Sequence, residues 1–173
     1  MPTLEDLSAE VAALNARVQR AEATLAIHEL KARYAQLVDE RYARGAVASP
    51  AVVAQRADAI AALFTEDGVW DGGAALGTAS GRAEIAARMR APTLRFSWHF
   101  FVKPRISVHA PDRASARWDI LSPCTTADGA PSWMVGFEDD DYARVEGEWL
   151  HARMQLTVVL MAPHATGWTK ILR

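Results

Sequence analysis

A histidine set among aromatic side chains can serve as a base near neutral pH. This sequence holds one in Phe96-Ser97-Trp98-His99-Phe100-Phe101. Desolvation among rings lowers an imidazole's pKa and a neighbouring carboxylate raises it, so such a group can be tuned to take a proton at physiological pH. Asp39, in Leu37-Val38-Asp39-Glu40-Arg41, is a candidate for that carboxylate. It falls near the C-terminal end of a predicted helix, where a negative charge opposes the helix dipole, so its presence asks for another reason. Tyr34 precedes it by five residues, about 140° around the helix. The two can flank one pocket mouth if the helix end lies across it. Each residue type also has a structural use: His99 bonded to backbone, Asp39 solvated or paired with Arg41 or Arg44, Tyr34 in the core.

Other chemistry finds little support. The five histidines, His28, His99, His109, His151 and His164, show no metal-ligand spacing. His99 and His109 share strand parity but stand roughly 33 Å apart along an extended chain. There is no glycine-rich phosphate loop, nucleophile elbow or dinucleotide fingerprint. The sequence therefore predicts a site without metal or cofactor. Of six tryptophans, Trp70, Trp98 and Trp133 are candidates for lining a pocket for a flat hydrophobic ligand.

The elements that must position these groups follow from periodicity. Leu4, Leu7, Val11, Leu14, Val18, Ala21 and Leu25 recur at alternating spacings of three and four, a heptad seam. Thr3 is the predicted N-cap, with Glu5 and Asp6 in the first turn. The seam can pack on the chain's own body or against another subunit. The pattern continues through Ile27, Leu30, Tyr34 and Val38, predicting helix to about Tyr42. Gly45, Ser49 and Pro50 mark a break. A second helix is predicted over about 51–64, a short strand at Val69-Trp70-Asp71, and a third helix over 82–89 entered through Ser80 and Gly81.

After Pro92 the pattern becomes extended, in runs 94–109, 114–126, 132–145 and 149–161. Pro111-Asp112, Asp128-Gly129 and Glu146-Gly147 separate them as hairpin signals. The runs are long for strands, so bends are expected at Pro104 and Pro123. Helices first and a meander of strands after argue for an α+β fold, with a curved antiparallel sheet wrapped around the N-terminal helices and an internal hydrophobic pocket. The boundaries read as a heptad extension over 1–26, a domain over 27–165 and a tail over 166–173.

Composition bounds the partners. Half of the 173 residues are hydrophobic, which suits a full core. With 19 basic and 21 acidic residues and a formal charge of −2, no footprint for nucleic acid is present. No run reaches the ~20 apolar residues of a membrane span. The start of the chain has no apolar stretch of signal-peptide length, and Cys124 is the single cysteine. A cytoplasmic location is the expectation.

Five segments in order resemble those of the SnoaL-like, nuclear-transport-factor-two-like superfamily. Ile27-His28-Glu29-Leu30 with Tyr34 and Val38-Asp39 resembles its first-helix motif, and Leu63 to Trp70 its turn into the first strand. Gly81-Arg82-Ala83-Glu84-Ile85 resembles its short helix, His99 with Pro104-Arg105-Ile106 its histidine-bearing strand, and Tyr142 to Trp149 its final hairpin. The likeness spans about 27–161.

The resemblance implies a cystatin-like cone and a cofactor-free lyase, isomerase or cyclase, commonly a homodimer or homotrimer. It is nearest to the bile acid dehydratase, hexachlorocyclohexane dehydrochlorinase and scytalone dehydratase group. There an aspartate on the first helix orients a histidine that removes a carbon-bound proton. These roles fall on Asp39 and His99, with Tyr34 as hydrogen-bond donor. Relatives carry an arginine on the last strand, where this chain offers Arg153 or Met154. Phe101 is a further substrate contact. Arg44 to Ala54 resembles an insertion beside the pocket entrance.

The implied reaction is an elimination from a hydrophobic cyclic or aromatic small molecule: dehydration, dehydrohalogenation or loss of formaldehyde from an aryl-propane. An isomerase or polyketide-type cyclase with the same dyad is the alternative, as is a non-catalytic ligand-binding module or dioxygenase β-subunit.

Overall fold

The computed structural model describes residues 2–169; the end of the tail expected over 166–173 lies outside the described residues. Its longest element is α1 (Leu4–Asp39). Thr3 caps it as expected, its hydroxyl accepting from the Asp6 N–H while the Asp6 carboxylate accepts from the Thr3 N–H. The helix changes character along its length. Leu4, Leu7, Val11, Leu14, Val18 and Leu25 are exposed, whereas Ala23, Ile27, Leu30, Lys31, Tyr34, Val38 and Asp39 are buried. The heptad seam thus does not pack on the chain's own body; a second stripe, starting at Ala23, does that.

The helix stops at Asp39, three residues short of the expected end. The chain turns into a small hairpin of β1 (Tyr42–Ala43) and β2 (Ala46–Val47), with Arg44 and Gly45 both at positive φ. That pair of conformations is the tight hairpin turn favoured by strand twist. Helix α2 (Pro50–Ala61) follows, capped by Ser49 and opened by Pro50 at its first turn. It ends before Phe64 because that residue begins β3 (Phe64–Asp71), a longer strand than the three residues predicted. A single-turn α3 (Gly73–Leu76), β4 (Thr78–Ser80) and α4 (Gly81–Met89) complete the first half.

The second half is the expected meander: β5 (Phe96–Ser97), β6 (Phe100–Ala110), β7 (Arg113–Thr125), β8 (Pro131–Val145) and β9 (Glu148–Pro163). The seven-stranded sheet has the order β4-β3-β9-β8-β7, with β5 and β6 both on the far side of β7. All pairs are antiparallel except β3 with β9, which is parallel. The fold is therefore α+β with a curved, mixed sheet closed by helices. The alternation read in β7 holds: Ala114, Ala116, Trp118, Ile120, Ser122 and Cys124 are buried.

The two expected bends resolve differently. The β6–β7 register shifts between Val102 and Arg105, and Lys103 takes a positive φ beside Pro104. Pro123 stays in register with β8. The irregularity lies across from it, where β5 ends and β6 has not begun. A proline offers no N–H to that side of the ladder.

A third irregularity falls between Val135 and Gly136, where β8 meets β9. A Cβ at position 136 would overlap the Thr157 carbonyl oxygen. Backbone is the obstacle, so relief requires moving the strand. Gly136→Ala is expected to lower unfolding free energy by about 2 kcal/mol, measurable by urea denaturation; an unchanged midpoint would show that the two strands can separate here at no cost.

Candidate functional site

The break between β5 and β6 is where the site begins. Trp98 and His99 leave the ladder there. The Trp98 N–H donates to the Pro123 carbonyl (3.1 Å), and the His99 N–H turns to the buried Asp39 carboxylate, at 3.1 Å from Oδ1 and 3.2 Å from Oδ2. The imidazole makes the same choice: His99 Nδ1 lies 2.6 Å from Asp39 Oδ1. A carboxylate accepts only, so Nδ1 carries the proton and Nε2 the lone pair. One residue at the end of α1 thus fixes both the backbone and the ring of His99.

Nε2 is 3.3 Å from Ser97 Oγ, which is 3.0 Å from Ser122 Oγ. The Ser97 hydroxyl can donate to either neighbour, so Nε2 can be released for another partner. The His99 ring lies nearly parallel to Phe101, 6.1 Å between centroids and 13° between planes.

Tyr34 stands on the same pocket. Trp70 Nε1–H donates to its hydroxyl oxygen at 3.0 Å, leaving the phenolic proton free to donate into the cavity. Burial, followed by the nearby Glu138 charge, pushes the Tyr34 pKa above its ordinary value. Tyr34 therefore remains a neutral donor at any physiological pH. The pocket is narrow, with about 70 Å³ of interior space behind its mouth. Tyr34, Trp70, Ser97, His99 and Glu138 bring polar groups to it, and Leu94, Ile120, Met134 and Leu156 supply apolar wall. A more voluminous groove, about 420 Å³, runs between residues 16–26 of α1 and the tips of the β6–β7 and β8–β9 hairpins. It contains neither His99 nor Asp39, so the smaller cavity is the candidate site.

His99, Asp39, Tyr34 and Trp70 are thus brought together. Four expectations need correction. Phe101, expected as a substrate contact, stacks on the His99 ring but is not on the pocket wall. Trp98 is 46 % exposed, because the strand break turns it outward when His99 turns inward. Trp133 has the opposite strand parity to the buried Met134 and packs on His164 (5.8 Å) away from the pocket. Arg153 points outward, 3.9 Å from Asp71, while Met154 is buried in the core. The β8–β9 register shift between Asp141 and Tyr142 sets that parity. Met154 takes the inward place but is not on the pocket wall.

Beneath the pocket lies a charged cluster that sequence reading missed. Lys31 is 1 % exposed and its ammonium donates to Glu138 and, at 2.8 Å, to Asp140. It sits 4.1 Å from the centre of the Phe101 ring. Burial alone would lower its pKa, but the Asp140 and Glu138 charges outweigh this and hold it above its usual value. Burial pushes the Asp140 carboxyl up to about 6, against the pull of Lys31. Tyr142 donates to Asp140 at 2.8 Å and accepts from Trp118 Nε1 at 3.0 Å. His151 is fully buried next to this network, Nδ1 3.9 Å from Asp140, and neither ring nitrogen has a hydrogen-bond partner among the described residues. Burial and then Lys31 drive its pKa well below the usual value, so it stays neutral.

The signal was present. Lys31 falls on the Ile27–Leu30–Tyr34 stripe, and Glu138 and Asp140 share parity with Met134 and Tyr142. Among the described residues no group of three or more His, Cys, Asp or Glu is arranged to hold a metal ion. No helix among them is long and apolar enough to cross a membrane.

Comparisons with known proteins agree with this fold. A family model described as a SnoaL-like domain matches residues 19–155. Among solved structures, the hexachlorocyclohexane dehydrochlorinase LinA-type3 from Novosphingobium barchaimii LL02 superposes with a TM-score of 0.72 at 17% identity, over 86% of this chain and 94% of that one. A scytalone dehydratase-like protein from Novosphingobium aromaticivorans gives 0.70 at 17%, over 86% and 91%. An NTF2-like protein with a cystatin-like fold from Novosphingobium aromaticivorans gives 0.60 at 24%, over 92% of each. At these identities the likeness establishes the fold. No curated protein matches the chain in sequence.

Removing the cation from the buried cluster leaves two carboxylates without their partner. Lys31→Met should cost about 3–5 kcal/mol of unfolding free energy, and adding Glu138→Gln should return part of it. Chemical denaturation of the single and double variants reads both effects; a Lys31→Met chain as stable as the parent would refute the pairing.

Proposed function

We propose a proton-abstracting lyase activity for this chain, which belongs to the SnoaL-like domain family. The observation that carries the reading is the Asp39 carboxylate at 2.6 Å from His99 Nδ1, with Nε2 left on the pocket beside Tyr34. Asp39 holds one tautomer and stabilises the imidazolium that forms when Nε2 takes a proton, the orienting role an aspartate plays in hydrolase triads. The proton comes from carbon. The C–H electron pair becomes the new double bond, and the leaving group departs from the adjacent carbon with its own pair. Tyr34 donates to the leaving atom or to a substrate oxygen, supporting charge as it develops. The scheme uses only the chain's own groups. Water or halide is the small product of this step; loss of formaldehyde would instead have His99 take the proton of a hydroxymethyl O–H, the O–H pair forming the carbonyl and the broken C–C pair forming the new double bond as a group on the next carbon departs. The apolar wall suits a cyclic or aromatic substrate. The neighbouring dehydrochlorinase and the dehydratase-like structure are consistent with such chemistry.

A screen of hydroxylated, halogenated and aryl-propane compounds tests the proposal. Turnover should fall ~100-fold or more in both His99→Ala and Asp39→Asn. Activity untouched by either substitution would sink the mechanism.

The exposed heptad stripe on α1 supports a second proposal, a homo-oligomer assembled through residues 4–25. Its apolar residues are exposed in the single chain, and a heptad repeat is the pattern that packs helix on helix. Deleting residues 1–24 should reduce the mass measured by light scattering to that of a single chain, with the far-UV spectrum of the remainder retained. A smaller deletion product at the parent's assembly number would exclude this role.

A further inference from the structure

Two guanidinium groups on the pocket wall lack any carboxylate. Arg41 is 7 % exposed, and its hydrogen bonds go to neutral main-chain carbonyls: Nε to Val38 (3.1 Å) and Nη1 to Met89 (3.0 Å). Arg88 is held the same way, Nε to Leu76 (3.0 Å) and Nη1 to Ala91 (2.9 Å). Its guanidinium lies 5.5 Å over the Trp70 ring. Both line the cavity that holds His99 and Tyr34. Neither forms an ion pair among the described residues, and neither Nη2 has a hydrogen-bond partner there. Buried charges are ordinarily paired. Burial lowers the Arg41 pKa and the Arg88 charge adds to this, against a pull from Asp39, while four carbonyls hold the two groups in place. The carboxylates nearby are already engaged: Asp39 by His99 and Glu138 by Lys31.

We propose that Arg41 and Arg88 form an anion pole that receives the carboxylate of an aromatic or cyclic carboxylic acid, with its ring against Leu94, Ile120, Met134 and Leu156. A planar carboxylate offers one oxygen to each of the two spare Nη2 donors, and both hydrogen bonds are charge-assisted. A phenol would be mostly uncharged at neutral pH and could not supply the missing charge. The pole sits at the end of α1, two residues beyond Asp39, so a ligand anchored there extends toward His99. This assignment deepens the lyase reading by naming its substrate class, yet the binding site stands on its own geometry.

The test is therefore binding, read without turnover. Calorimetry on the full chain would compare 3-phenylpropionate with its neutral amide at pH 7.5. The acid is expected to bind ~10-fold or more tightly than the amide, and the preference should shrink at high salt. Arg88→Gln, at a half-buried position, should erase the preference while leaving amide binding in place. Arg41→Gln should do the same if its melting profile shows a folded chain. Equal affinity for acid and amide, a preference unaltered in Arg88→Gln, or no acid binding at millimolar concentration would each overturn the proposal. Because the dyad is tested by turnover in His99 and Asp39 variants, the two readings can fail separately.

Discussion

The bond between Asp39 and His99 joins the two halves of this chain. One partner closes a 36-residue helix; the other lies in a gap in the edge of the sheet. A carboxylate at a helix C-terminus is poorly placed with respect to the helix dipole, and a strand break leaves an N–H without a ladder partner. Each defect is the other's remedy. The carboxylate receives the orphaned N–H and the ring proton together, and the ring can then turn only one way. Ring orientation and backbone satisfaction are the same interaction, so the histidine's tautomer follows from the fold.

The wall behind this bond is rigid for a different reason. Lys31, Glu138, Asp140 and Tyr142 occupy positions that periodicity would assign to apolar residues. Such a cluster is costly to bury and very costly to break, because each charge depends on the others for its solvation. It joins α1 to β8 directly beneath Tyr34 and Phe101. Phe101 touches both the Lys31 ammonium and the His99 ring, and Glu138 reaches the cavity already paired with Lys31.

Around the dyad the pocket divides by chemistry. Its apolar wall comes mainly from the sheet, where Ile120, Met134 and Leu156 face inward. Its cationic side comes from the helix ends, where Arg41 and Arg88 donate to main-chain carbonyls. A substrate with a ring and a polar end matches that division better than a uniformly apolar one.

The sequence by itself determined the helix-then-meander order, the Thr3 cap, the inward alternation of β7 and the pairing of His99 with Asp39. All but the last follow from local periods and turn residues. The pairing was legible through a family pattern, since nothing local connects two residues sixty positions apart. Tertiary structure decided everything that depends on parity or register over distance. A bulge in the final hairpin turned Arg153 out and Met154 in; a proline opposite a strand break turned Trp98 out and His99 in. Lys31 and Glu138 stand at inward-facing periods of α1 and β8, but only packing placed them face to face. A side chain's type is written locally, but its face and its partner are set by neighbours brought from elsewhere in the chain, and a one-residue shift reverses them.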